Sequence, residues 1–476
     1  MSETVTARRL STANGSVSKA VNSPSESLYE AQQKVYPREV VGRFSRLRTI
    51  AAWVLLGLYY LNAWWQWNGR QAFLFDLPAR KFYVLGLVFW PQDFIFLTGL
   101  LIIAALSLFF FTALAGRLWC GYACPQTVWT EVFLWMERVT EGDRAQRMKL
   151  DEARWTTSKV VRKSLKQFLW VTFALWTGFT FVGYFTPIRT LSTEVFAGTV
   201  GGWELFWILL YGLATYGNAG YLREQVCKYM CPYARFQSAM LDHDTLVITY
   251  DAQRGEPRGP RRRGAEPKES KLGSCIDCTW CVQVCPTGID IRKGLQQECI
   301  ACAACIDACD SIMDKMQYPR GLIRYSTQHA VEHSPTHILR PRIVLYAALL
   351  TLLICGWVVA LWLREPVALD VIRDRNALYR LLDDGRLENV YDVKIINKSE
   401  KPHRFHVTVS GPGALSLDPE PAVFPVAAGE VFPAGIRIRR SPFEPVGSES
   451  VRISVQAEDD AALRASTMAR FLAPGK

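Results

Sequence analysis

No Cys-x-x-Cys-His sequence occurs in the chain, which excludes covalent attachment of a c-type haem. Histidine is scarce, with 6 in 476 residues, and none stands inside a long apolar run where it would ligate a b-type haem in a membrane. A P-loop and the glycine fingerprint of dinucleotide-binding folds are also missing. Such a chain brings no ATP hydrolysis or hydride chemistry of its own and needs an external electron donor, expected in the cytoplasm and left unidentified by the sequence. Near the start there is no apolar core of a cleavable signal peptide. Residues 1–46 are therefore expected to stay in the cytoplasm, partly disordered. No nucleic-acid partner is expected.

What the chain has is 50% hydrophobic residues, unevenly distributed. Five runs of about 20 apolar residues, the length that spans about 30 Å of hydrocarbon at 1.5 Å per residue, predict transmembrane helices at 49–67, 94–116, 168–186, 203–222 and 343–363. Lys and Arg crowd the N-terminal segment and the 117–167 loop, the latter with Arg117, Arg138, Arg147, Lys159, Lys163 and Lys166. The loop between the third and fourth runs has only Arg189. Positive-inside bias then puts the N-terminus, the 117–167 loop and the 223–342 region in the cytoplasm, and the C-terminus outside. After about residue 366 the pattern changes to short apolar and polar alternation, as in "HRFHVTVS" and "VRISVQAE", which predicts an immunoglobulin-like β-sandwich. Asn397-Lys398-Ser399 matches a glycosylation sequon but reads as a turn.

The expected architecture is a multi-domain membrane protein: a five-helix α transmembrane bundle, an α+β two-cluster 4Fe-4S ferredoxin domain of the bacterial type, and a C-terminal all-β sandwich. Its parts are the N-terminal segment 1–46, four helices over 47–222, a cytoplasmic linker 223–270, the dicluster domain 271–320, a linker 321–342, the fifth helix 343–363 and the sandwich 366–476.

Twelve of the 13 cysteines fall into four tight groups, which reads as metal ligation in a reducing compartment. Two copies of C-x2-C-x2-C-x3-C stand 13 residues apart. A tight loop of three cysteines wraps three corners of a cubane and the other copy supplies the fourth. This predicts one 4Fe-4S cluster on Cys275, Cys278, Cys281 and Cys309 and a second on Cys299, Cys302, Cys305 and Cys285. Pro286 follows the first copy, whereas Asp310 replaces the proline after the second. Arg261, Arg262, Arg263, Lys268 and Lys271 lie nearby, as a solvated linker or a face for an acidic donor.

The remaining groups are Cys120-Gly-Tyr-Ala-Cys124-Pro125 and Cys227-Lys-Tyr-Met-Cys231-Pro232, each closing a predicted hairpin at the cytoplasmic side. If the hairpins pack about a pseudo-two-fold axis, the four cysteines meet. Proline at a first helical position would leave Cys124 and Cys231 as caps, where the helix dipole stabilises a thiolate. Low-pKa thiolates there would hold Cu(I), ligate a further cluster or cycle through a disulfide; a structural role is the alternative. Met230 reads as packing rather than a thioether ligand. His329, His333 and His337 recur at intervals of four, but Pro335 interrupts the helix and they read as solvated. Cys355 reads as a small packing residue.

With "FDLPARKFYVLGLVFWPQDF", "RLWCGYACPQTVWTEVFLWMER", "VCKYMCPYARFQSAMLDHDTLVITYDAQRGEPRG" and "YPRGLIRYST", these motifs closely resemble the cytochrome c oxidase accessory proteins of the CcoG family, also called FixG or RdxA. The resemblance runs from about residue 35 through the β-rich tail. It implies a bacterial inner-membrane protein that assists maturation of a cbb-type oxidase by reducing Cu(II) to Cu(I). It carries the family's cluster ligands onto the eight ferredoxin cysteines and makes Cys120, Cys124, Cys227 and Cys231 the candidate catalytic and copper-binding residues. Implied partners are the lipid bilayer, copper ions, and oxidase subunits or copper-handling assembly factors, with a homodimer also allowed. Two other readings stay open: a quinol-linked relay, since the NapH and NosR electron-transfer proteins resemble this chain in the same motif pairing, and a non-redox copper chaperone or scaffold.

Overall fold

The computed structural model describes residues 34–263, 271–374, 377–441 and 447–474. The stretch before residue 34 and Lys268 lie outside the described residues.

Helices form at all five expected positions: Arg43–Asn62, Phe94–Ala115, Thr157–Val182, Gly202–Thr215 and Pro341–Trp362. Among the described residues only Pro91–Ala115 and Pro341–Trp362 are long and apolar enough to cross a membrane alone. A third qualifies if Ile188–Ala197 and Gly202–Leu222, bent by 97°, make one span. Length and composition alone thus support two or three of the five expected crossings, because the other helices have different bounds from the apolar runs. The first begins at Arg43, takes in Arg46 and Arg48, and stops at Asn62, short of the two-residue strand Gln66–Trp67. The helix expected from 168 begins at Thr157 and carries Lys159, Arg162, Lys163 and Lys166 in its first turns. None of the most apolar window of Pro91–Ala115 is buried within the protein. So large an apolar surface is at home in hydrocarbon rather than water.

Small residues and aromatic donors set the helix packing. Thr157–Val182 approaches Gly202–Thr215 so closely that a Cβ on Gly178 would lie 2.3 Å from the Ile208 carbonyl oxygen. Glycine permits that approach. Pro341–Trp362 lies along Phe94–Ala115, with the Trp357 indole donating to the Phe96 carbonyl at 2.9 Å.

The dicluster segment is bracketed by antiparallel strands Val247–Tyr250 and Ile323–Ser326 and contains helices Trp280–Gln283 and Ala304–Met316. The last of these starts inside the second cysteine motif and carries Asp307. That carboxylate accepts from the backbone N–H groups of Phe44 at 3.2 Å and Ser45 at 2.7 Å, so the dicluster segment supplies the cap of the first long helix. Gly42 makes room, since a Cβ there would fall 2.2 Å from the Asp307 carboxyl carbon.

After Pro341–Trp362 the chain forms two antiparallel sheets. One runs Ala414–Asp418, Val431–Ser441, Leu387–Asn397, Val367–Arg373, with the short Arg380–Leu381 beside Leu387–Asn397; the other runs Val423–Val426, His403–Ser410, Ser448–Ala457, Arg464–Leu472. Tyr391, Ile436, Phe405, Ile453 and Phe471 fill the core between them. The sequon is a turn: the buried Asn397 side-chain carbonyl accepts from the Ser399 N–H at 3.0 Å, and its amide donates to the Lys401 and Ala427 carbonyls. Buried Asp93 binds Arg364 at 2.6 Å and Lys398 at 2.9 Å, which ties the sandwich to the helices.

Candidate iron–sulfur and thiol site

The two long cysteine motifs bend their backbones alike. Asp277 and Thr279 flank Cys278 at φ of 54° and 55°, and Ala301 and Ala303 flank Cys302 at 54° and 60°. Non-glycine residues seldom occupy this left-handed region. Two such residues around each middle cysteine curl three thiols around one centre, and the repeat seen in sequence is a repeat in shape.

Cys275, Cys278, Cys281 and Cys309 line one small cavity with Tyr250, Arg292 and Leu322 among its walls. The fourth thiol therefore comes from the other motif. Cys302 and Cys305 in turn feel Cys285, and Cys299 feels both Cys302 and Cys285. Both expected sets of four are brought together. Among the described residues no three His, Cys, Asp or Glu side chains stand close enough to hold a single metal ion. A cubane fits, because its corners keep the ligands farther apart than those of one ion. Burial pushes the Cys281 and Cys299 thiols up to about 12 and Cys309 higher, so metal-free thiols here hold their protons. Cys278 alone of the eight is exposed.

The two short motifs also converge. Cys120 feels Cys124, Cys227 and Cys231, and Cys227 feels Cys124 and Cys231. Both expected caps form: Cys124 and Cys231 are extended residues before helices Pro125–Glu141 and Pro232–Met240, each with proline at its start. The chain turns at each cap, with the Cys124 N–H bonded to the Trp119 carbonyl at 2.9 Å and that of Cys231 to Val226 at 2.8 Å. The expected low-pKa thiolate is corrected at Cys124. Burial raises this thiol, and the N–H groups of Thr127 and Gln126 do not offset it. Burial also lifts Cys120 to about 12 and Cys227 to about 11. The Cys120 thiol donates to buried Gln237 at 3.4 Å.

The two sulfur sites touch. Cys120 and Cys227 pack against a buried cluster containing Cys302, Ile300 and Ala304. At the contact, a Cβ on Gly121 would lie 2.8 Å from the Ile300 oxygen and 2.9 Å from both the Ala301 oxygen and the Cys302 Cα. All three obstacles are backbone and cannot swing aside. Gly121→Ala is expected to cost about 1–3 kcal/mol through overpacking. Denaturant unfolding in detergent reads this; wild-type stability in the variant would contradict it.

Several residues of the site were not marked as functional by sequence. Arg117 and Arg48, read as orientation charges, are drawn in: Arg117 is buried, and Arg48 acts on Cys302 while bonded to Glu131 at 2.8 Å. Gln237 and Asp307 carried no signal beyond their proximity to cysteine motifs. The three histidines do not converge. His329 bonds Asp244 at 2.8 Å and His333 contacts Gln253 at 3.3 Å, with Pro335 past the short helix Gln328–Val331. Met230 and Cys355 are exposed.

The family model described as a 4Fe-4S dicluster domain matches residues 222–328, and one described as a 4Fe-4S binding domain matches 97–140. The model for the IG-like fold at the C-terminal of FixG matches 357–474. Protein RdxB of Cereibacter sphaeroides is 42% identical over 423 residues, covering 85% of this chain and 88% of its own. Protein RdxA of the same organism is 41% identical over 410 residues, covering 82% and 85%. Nitrogen fixation protein FixG of Rhizobium meliloti is 38% identical over 427 residues, covering 82% of each. With this identity across four-fifths of its length, the chain belongs to the FixG/RdxA family of iron–sulfur proteins.

Proposed function

We propose that this chain is a membrane-anchored electron-transfer protein that reduces Cu(II) to Cu(I) at Cys120, Cys124, Cys227 and Cys231 and thereby assists assembly of a cbb-type cytochrome oxidase. The observation that carries the reading is the backbone contact of Gly121 with the Cys302 loop, which sets four converging thiols against the ligands of one expected cluster. The 4Fe-4S clusters, held by the two sets of four cysteines, supply single electrons one at a time. Thiolates prefer Cu(I), whereas Cu(II) favours nitrogen and oxygen, so a thiol site pulls the copper couple toward the reduced ion. Cys120 and Cys227 are half-buried, which limits the water that reaches that site. The exposed Cys278 offers an unidentified cytoplasmic donor its approach. In the proposed placement five helices cross a bacterial inner membrane, with the N-terminus and dicluster segment in the cytoplasm and the sandwich in the periplasm, where oxidase subunits or assembly factors would meet it.

Anaerobic, dithionite-reduced protein freed of excess reductant, mixed with Cu(II) and a Cu(I)-specific chelator, should give a Cu(I) signal matched by cluster oxidation. No cluster-dependent signal removes the reductase reading. A second reading is favoured by the 4Fe-4S match over 97–140, which contains only the Cys120 and Cys124 pair: the four thiols ligate a third iron–sulfur centre. Iron analysis separates them, at about eight irons per chain for two cubanes and about twelve for three.

A further inference from the structure

Resting on the reading of two cubanes above, we propose that Arg117 is a positioning residue: a fixed, uncompensated cation that raises the potential of the cluster on Cys285, Cys299, Cys302 and Cys305 and so directs electrons toward the four-cysteine site. One side chain joins three sulfur-bearing segments. Arg117 stands three residues before Cys120 and is 7% exposed. It donates to the carbonyl of Gln297, two residues before Cys299, and at 2.6 Å to the carbonyl of Ala234, in the helix that Cys231 caps. Its charge acts on Cys120, Cys227 and Cys299 alike.

Two other guanidinium groups beside the thiols are paired with carboxylates. Arg48, at Cys302, is paired with Glu131 at 2.8 Å. Arg292, at Cys281, is paired with Asp290 at 2.8 Å and also with Asp277. Asp242 shares a cleft wall with Arg117 but is bound by Arg340. Among the described residues no carboxylate lies within ion-pair distance of Arg117. Backbone carbonyls hold it in place without cancelling its charge. A cation buried without a counter-charge is costly, and the thiols of Cys120, Cys227 and Cys299 lie within its field. A cluster gains negative charge on reduction, so a nearby fixed cation favours its reduced form.

The test is a redox titration of the full chain followed by electron paramagnetic resonance, with the second cluster identified as the one missing in Cys302→Ala. Arg117→Gln should lower that centre alone and shift the equilibrium between the clusters about tenfold against it, which is about 59 mV for one electron. Arg117→Lys, which keeps the charge, should restore most of the shift. Should Arg117→Gln fail to assemble, Leu295→Glu brings a carboxylate to the same cleft from an exposed position and should lower the same centre. Potentials that stay fixed, or that fall equally in both clusters, overturn the assignment. A wild-type chain without iron would instead defeat the two-cubane reading itself.

Discussion

Glu137→Ala is expected to destabilise the protein by about 3–5 kcal/mol, the range for removing one partner of a buried ion pair. Glu137 lies on Pro125–Glu141, the helix that Cys124 caps, and is 1% exposed. Its carboxylate meets Arg147 at 3.0 Å, Arg223 at 2.8 Å and Lys166 at 3.9 Å. Arg147 and Arg223 are themselves buried, so the substitution strands two cations, while Lys166 keeps Glu141 at 2.8 Å. Burial pushes this carboxyl up, but Arg223, Lys166 and Arg147 outweigh it and hold it below its ordinary value. The sign follows: a carboxyl depressed in the fold contributes fully above the unfolded value of about 4.3, and the contribution fades as pH falls through the folded pKa. Denaturant unfolding in detergent at pH 7 and at acid pH checks both statements. A loss under about 1 kcal/mol, the scale of an exposed pair, would mean that the cluster is not structural. The effect reaches function through Arg223, four residues before Cys227: Glu137 fixes the first short motif against the second, and the four thiols should separate without it.

The cysteine spacing made the eight cluster positions and the short-motif caps legible, because those signals are local. Three or four residues in series fix a loop, and a proline after a cysteine fixes a helix start. Alternation made the sandwich legible for the same reason. Membrane crossing was less so: hydropathy marks apolar runs, but helices follow hydrogen bonding, and Thr157–Val182 extends through four basic residues because Lys159 and Lys166 are buried against protein. Protonation at Cys124 was misjudged because the cap was visible in sequence and its desolvation was not. Arg117 is the sharpest case. In sequence it is one basic loop residue among many, and only the fold places it among Cys120, Cys227 and Cys299.

Cross-ligation gives the largest expected change at the clusters. Cys285 belongs in sequence to the first motif but in space to Cys299, Cys302 and Cys305. Cys309 belongs to the second motif but shares a cavity with Cys275, Cys278 and Cys281. Cys285→Ala and Cys302→Ala should therefore erase the same paramagnetic signal, while Cys309→Ala and Cys278→Ala erase the other. Each should cut iron from about eight to about four per chain, a whole cubane. Pairing by sequence instead, with Cys285→Ala matching Cys278→Ala, would overturn the spatial sets. The copper assay separates the pairs further. Because Cys302 borders Gly121 and the short motifs, loss of its cluster should bring Cu(I) formation to background even when the first cluster is fully reduced. Loss of the first cluster leaves the inner one in place, so a small reductant able to reach the inner cluster directly should restore copper reduction in Cys278→Ala and not in Cys302→Ala. Equal rescue of both would mean that electrons do not pass the two clusters in series.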